Sequence, residues 1–313
     1  MIKKIFLVLG LLIVGMSAIE AKTMEYEDYF GKHTINHFPQ KIVYLGTYVE
    51  IPPMLGIWDK VVGLSGYAFE IDIIKNTPDL SRIEKFPTGH YANIDVEKLK
   101  TMGVDLVVTY PANLQAIAFA EKFGIKFLSL KTQSVADVFE HIRIQAKLFG
   151  KSDIADNKLA VMQEVLDLIK KRTENVEQKR VIEIFTKINH LSGHQNMDSA
   201  ILKAASVDNI GLKYIKQGRA EVNLENIIKE DPEIIYLWWF SPLSVEDVLK
   251  QPQLKNIRAV KNKQVFKLPA MDIAGPRMPL IALFIAMKAY PERFYDINYE
   301  EFVKKYYHQV FEL

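Results

Sequence analysis

Apolar positions along this chain switch between two periodicities. Short unbroken apolar runs recur at residues 41–45 (KIVYL), 61–64, 105–109 (DLVVT), 126–130, 180–185 (RVIEIF), 234–238 and 264–268. Between them apolar residues return every three or four positions, at 49–55, 96–102, 114–123, 135–149, 198–205, 224–229, 244–250, 279–289 and 299–310. Runs without alternation are strands buried on both faces, and the intervening period is that of helices. The pattern predicts α/β architecture with mainly parallel sheet. Residues 22–36, with Gly31 in mid-stretch, predict an opening hairpin, and residues 76–93 form a polar, turn-rich segment.

The longest amphipathic stretch is 152–176 (SDIADNKLAVMQEVLDLIKKRTENV). Ala155, Leu159, Met162, Leu166 and Ile169 make its stripe, with Val161, Val165 and Leu168 beside them. Ser152 suits an N-cap, Asp153 and Asp156 the positive end of the dipole, and Lys170, Lys171 and Arg172 the negative end. At ~1.5 Å per residue it spans roughly 33 Å. It lies in mid-chain, as a strut between two lobes would.

An internal match supports two lobes. Ile94-Asp95-Val96-Glu97 precedes a helix, and Asp105 opens the strand that follows; Val222-Asn223-Leu224-Glu225 and Glu233 repeat the plan with the same spacing. Chance likeness of two strand–helix units is the plainer alternative.

Composition narrows the picture further. Lys3 and Lys4, the apolar run from Ile5 to Val14 and the small residues Ser17, Ala18 and Ala21 read as a cleaved secretory signal peptide over residues 1–21. There is no cysteine, which excludes disulfides, thiolate catalysis and Cys-based metal sites. Removing Lys3, Lys4 and Glu20 takes the 40 basic and 38 acidic residues to 38 and 37, a formal +1. That balance gives no case for a nucleic acid or an anionic membrane as partner. A soluble monomer exported to a periplasm is expected, with residues 22–151 as the N-terminal lobe, 152–176 as connecting helix and 177–313 as the C-terminal lobe.

Several segments, in this order, resemble the periplasmic substrate-binding proteins of ABC importers for ferric siderophores, haem and cobalamin. They are PQKIVYLGTYVEIPPMLGIWDKVVGLSGYA, ANIDVEKLKTMGVDLVVT, EVNLENIIKEDPEIIYL, LKNIRAVKNKQVFKLP and GPRMPLIALFIAMKAYPERF. More narrowly, the chain is similar to enterochelin-type binding proteins of Helicobacter and its relatives, for which nickel chelates are a second cargo class. The resemblance covers nearly all of the chain after residue 21. It implies two Rossmann-like lobes bridged by a single long backbone helix, the helical-backbone metal-receptor type. It also implies cargo in the cleft between them: a metal chelate, a ferric siderophore (Fe3+) first, with a nickel (Ni2+) chelate, cobalamin or haem as alternatives, and no covalent cofactor. The implied partners are an ABC permease and its ATPase. One surface Glu per lobe docks on the permease in this family, and those positions fall on Glu97 and Glu225. Each is also a first-turn Glu that a helix dipole stabilises by ~0.3–1 kcal/mol.

In open α/β sheets ligands bind beyond the carboxyl ends of the strands. The loops there carry Tyr67, His90, Tyr91, Arg219, Trp238, Trp239 and Arg277. Aromatic faces with a few directed cations suit an anionic chelate. Arg219 and Arg277 are the first candidates for its anionic groups, a structural salt bridge being the alternative for each, more so for Arg277 at a helix start. Continued strand alternation would send Trp238 and Trp239 to opposite faces, leaving at most one in the cleft. His194 or His90 is the candidate to fill an open coordination site of the metal; a hydrogen-bonding or solvated His is the alternative. Ser192-Gly193-His194 invites a catalytic reading, but no Gly-x-Ser-x-Gly, His-Glu-x-x-His or phosphate-binding glycine loop accompanies it. A binding protein, not an enzyme, is expected.

Overall fold

The computed structural model describes residues 23–88, 94–111 and 114–313. The signal-peptide reading therefore lies outside the described residues, as do His90 and Tyr91. Thirteen strands follow along the described chain: β1 (Met24–Asp28), β2 (Gly31–Ile35), β3 (Ile42–Tyr44), β4 (Val61–Ser65), β5 (Glu84–Phe86), β6 (Leu106–Thr109), β7 (Lys126–Ser129), β8 (Arg180–Ile184), β9 (His190–Ser192), β10 (Asp208–Asn209), β11 (Arg219–Glu221), β12 (Ile234–Leu237) and β13 (Val265–Lys267). β1 and β2 form the expected hairpin, and Gly31 at φ 122° turns it in a conformation that side chains avoid.

Two sheets carry the architecture. The first runs β5-β4-β3-β6-β7 and is parallel throughout; the second runs β11-β9-β8-β12-β13, with β10 also paired to β8. β3 and β8 hold the same central place, and β6 and β12 the same place beside them. The helices before β6 and β12, Val96–Met102 and Leu224–Glu230, are both seven residues long, in line with the internal match in the sequence. The sheets part company on the other side. β9 returns from β8 directly and so pairs antiparallel, where β4 returns through a helical crossover and pairs parallel. β5, β9, β10 and β11 were not separated from loop in the sequence: none exceeds three residues, too short to show a period.

The central helix spans Ser152–Arg172. Ser152 is its first helical residue and Lys151 holds the cap position without a side-chain bond, so the expected cap is not used. The helix stops four residues early. The Thr173 hydroxyl donates back to the Ile169 carbonyl, and Asn175 at φ 61° leaves the helical region. Ala155, Lys158, Leu159, Met162, Val165 and Ile169 are its buried face. Helices Ile51–Leu55 and Val135–Leu148 from the first half pack on it, as do Met197–Ala204, Met278–Ala289 and Tyr299–Phe311 from the second. One continuous apolar core therefore joins both halves around this helix, and each sheet keeps a second core on its outer face. Lys158 is the surprise on the buried face. Its ammonium donates to the Met54 carbonyl (2.7 Å) at the end of a first-lobe helix and pairs with Glu312 (3.1 Å).

Candidate functional site

The carboxyl ends of the parallel strands point into one cleft. Gly46 and Thr47 follow β3, Tyr67 follows β4, Thr88 follows β5 and Tyr110 follows β6; Phe185 follows β8, Trp238 to Phe240 follow β12, and Met271 to Ile273 follow β13. With Arg219 they enclose a central compartment of about 200 Å³. A second of about 300 Å³ continues past Tyr110, Arg219 and Ile273 to Gln195 and Asn196; a third of about 380 Å³ continues past Tyr67 and Phe240 to Glu70 and Lys85. A separate groove of about 500 Å³ lies between the hairpin and helix Val135–Leu148, with Glu25, Lys32, Arg143 and Lys147 on its walls. No parallel strand ends there, and its mixed charges offer no set of convergent groups.

Local structure sets each wall. Gly46 permits the Tyr110 ring to lie against the backbone: a Cβ there would sit 3.1 Å from the ring. Tyr110 then donates to the Thr47 hydroxyl (2.9 Å), and Tyr67 to the Gly46 carbonyl (3.0 Å), which anchors both rings where they line the cleft. Opposite them stands a stack. The Arg219 guanidinium lies 4.0 Å from the Phe185 ring centre, and Phe185 is stacked 4.0 Å from Trp238. Trp239 and Phe240 complete the cluster.

Trp238 and Trp239 both line the cleft, against the expectation of at most one. β12 ends at Leu237, so the two indoles sit in the turn beyond it and strand alternation does not reach them.

Arg219 is where the sequence placed it, at the centre of the cleft. Its guanidinium also forms an ion pair with Asp198, whose carboxylate is 1% exposed. Asp198 stands in the first turn of helix Met197–Ala204, beneath the cleft, and apart from that pair its oxygens take no hydrogen bond. Glu183 of β8 is buried beside it, with the Ser192 hydroxyl 3.5 Å away. Burial, and then the Asp198 charge, push the Glu183 carboxyl well above the usual range.

Arg277 does not reach the cleft. It is fully buried, donating to Glu50 (2.6 Å), to Asp72 (2.6 Å) and to the Tyr307 hydroxyl. The neighbouring Asp272 accepts from the backbone amides of Tyr48 (2.6 Å), Val49 (3.1 Å) and Ala274 (3.0 Å), while its own amide donates to Glu50 (2.7 Å). These residues form a buried latch between the loop after β13 and the loop after β3. Tyr48 is held at φ 80° within it, a strained conformation for a non-glycine residue. Burial and the Glu50 charge raise Asp272 to about 7. The sequence alone gave no signal for this latch, since Glu50 and Asp72 lie more than 200 positions from Arg277.

His194 is exposed in the loop after β9 and lines none of the three compartments. Among the described residues no group of three His, Asp or Glu side chains could hold a bare metal ion. Glu97 and Glu225 are exposed at the second position of the two equivalent seven-residue helices, behind caps made by Asp95 and Asn223.

Two sheets face each other across an aromatic cleft and share a core around one long helix, the arrangement of a solute-binding protein. The family model for periplasmic binding proteins matches residues 42–271, and the chain belongs to that family. Two structures of CeuE from Helicobacter pylori, one a nickel–histidine complex and one with Ni(II) bound, are 50% identical to it. Each alignment covers 93% of this chain and 96% of the other, with a TM-score of 0.88. The molybdate-binding protein MolA of Haemophilus influenzae is 23% identical over 86% of this chain and 82% of its own. A vitamin B12-binding protein of Vibrio vulnificus is 23% identical over 71% and 78%. The homologues are solute-binding proteins of ABC transporters, not enzymes. No helix among the described residues is long and apolar enough to cross a membrane.

Proposed function

We propose that this protein captures a metal chelate in the cleft between its two sheets and delivers it, in the periplasm, to an ABC permease and its ATPase. The observation that carries the reading is the cleft itself. Aromatic faces from both sheets (Tyr67 and Tyr110 against Trp238 and Trp239) surround a single directed cation, Arg219, where parallel strands end. Flat rings pack a chelator, and the guanidinium meets its carboxylate or phenolate oxygens. Glu97 and Glu225, one on each sheet's helix layer, are the docking points for the permease.

Two cargo classes fit the family: a ferric siderophore and a nickel chelate. Nickel is favoured by the 50% identical CeuE with nickel and histidine bound. A central compartment of about 200 Å³ also suits a small chelate. His90, outside the described residues, remains the candidate to complete the metal's coordination; His194, which lines none of the compartments, does not.

Tryptophan fluorescence tests the reading. Titrating the purified protein with nickel–histidine and with a ferric catecholate siderophore is expected to quench Trp238 and Trp239 at one equivalent, without turnover. Arg219→Met is expected to lose that response. If neither chelate changes the emission or releases heat in calorimetry, the chelate reading fails. Native mass spectrometry with metal analysis of protein from its own periplasm identifies the cargo.

A further inference from the structure

The charges around the cleft define the cargo more narrowly than its shape does. Among the described residues, the charged side chains of the central compartment are Arg219 and Asp272. Asp272 turns its carboxyl toward the amides of Tyr48, Val49 and Ala274, away from any ligand. Arg219 is a quarter exposed, and its charge is already matched by Asp198, buried directly beneath. The compartment beside Gln195 and Asn196 adds no charge. In the outer compartment Glu70 pairs with Lys75 (3.0 Å) and Lys85 lies over the Phe69 ring, so any positive charge there stands apart from the central compartment. Among the described residues, then, the central compartment carries no net positive charge.

We propose that Asp198 is a specificity-determining residue: by compensating Arg219 from below, it makes the cleft select chelates of zero or low net charge over multiply anionic ones. This rests on the chelate-binding reading above and names the class of chelate. The guanidinium is a quarter exposed at the cleft and keeps directed N–H donors there. It can therefore orient one carboxylate of a chelator. It offers no surplus charge to a complex with several uncompensated negative groups, and taking such a complex out of water without counter-charge is costly. The stack on Phe185 and Trp238 holds the arginine in place, so it cannot swing away from Asp198 to follow an anion. Glu183 sits in the same buried group but lines none of the three compartments, and burial beside Asp198 disfavours a second negative charge there.

The test keeps the metal constant and varies the charge. Binding of nickel–bis(histidine), nickel–citrate and nickel–EDTA (uncharged, singly and doubly anionic) is measured by calorimetry at pH 7 for the wild type and for Asp198→Asn. The wild type is expected to prefer the uncharged complex. Asp198→Asn is expected to shift the ratio toward the anionic complexes by on the order of tenfold or more per negative charge. Shape differences among the chelates cancel in that comparison between variants. Asp198→Glu is expected to restore the wild-type ratio, and Glu183→Gln to leave it unchanged. The same ratio in wild type and Asp198→Asn overturns the proposal. If Asp198→Asn does not fold, the wild-type series decides alone: a preference for the doubly anionic complex overturns it. Binding without charge discrimination defeats this inference only, whereas no binding of any complex defeats the chelate reading itself.

Discussion

Replacing Arg277 by Met separates a structural arginine from a ligand-binding one. Both Arg277 and its partner Glu50 are 0% exposed. Met keeps most of the volume and removes the charge. It leaves Glu50 buried with one carboxylate oxygen unpartnered and Asp272 beside it, two acids without a cation. Breaking a buried pair on one side costs ~3–5 kcal/mol, against ~5–15 kcal/mol for the whole stability of an ordinary domain. Urea unfolding at pH 7, followed by tryptophan fluorescence, reads the loss. Glu50→Gln together with Arg277→Met removes the stranded charge and is expected to recover part of it. Ligand affinity of the folded protein is expected to stay within a few-fold of wild type, because Arg277 lines no part of the cleft. A loss below about 1 kcal/mol with abolished binding would refute the latch and return Arg277 to the ligand.

Three further outcomes follow from the same geometry. Glu97→Ala with Glu225→Ala is expected to abolish uptake in cells while calorimetry shows unchanged cargo affinity; normal transport by the double variant sinks the docking assignment. Asp272 titrates at about 7 when folded against 3.8 in the free chain, so its contribution is full below 3.8 and disappears as pH rises through 7. Buried His141 is lowered from 6.5 to about 4, so its contribution is full above 6.5 and disappears as pH falls through 4. These slopes oppose each other between 4 and 6.5; Asp272→Asn should make stability rise more steeply with pH there, and His141→Gln make it fall, in melting curves taken at several pH values. Gly211→Ala places a Cβ 2.1 Å from the Ser192 carbonyl, on the strand that registers Arg219. It is expected to cost ~1–3 kcal/mol in urea unfolding and to weaken cargo binding; wild-type stability with wild-type affinity counts against that packing.

Much of this protein could be read from the pattern of its residues. Unbroken apolar runs gave the strands of both sheets, because a strand covered on both faces has no polar positions to alternate with. The stripe from Ala155 to Ile169 gave the central helix, and the repeated spacing around Glu97 and Glu225 gave its two equivalent flanking units. Strand ends gave the side of the molecule on which the cleft opens, and with it Tyr67, Arg219, Trp238 and Trp239.

Other features needed the folded chain. Arg219 and Arg277 are the same residue type in loops of similar composition, yet one faces the cleft and the other is sealed against Glu50. Which acid lies beside each is decided by packing across more than 200 positions in the one case and by the antiparallel return of β9 and β11 in the other. The two indoles share the cleft because β12 ends one residue before them, a boundary set by pairing to β8 and β13. Asp198, Glu183 and Asp272 carry no local signature, since a carboxylate's charge depends on burial and on its neighbours in space. Local sequence determines where the chain is helical or extended. It cannot determine the charge of a cleft that only tertiary contacts assemble.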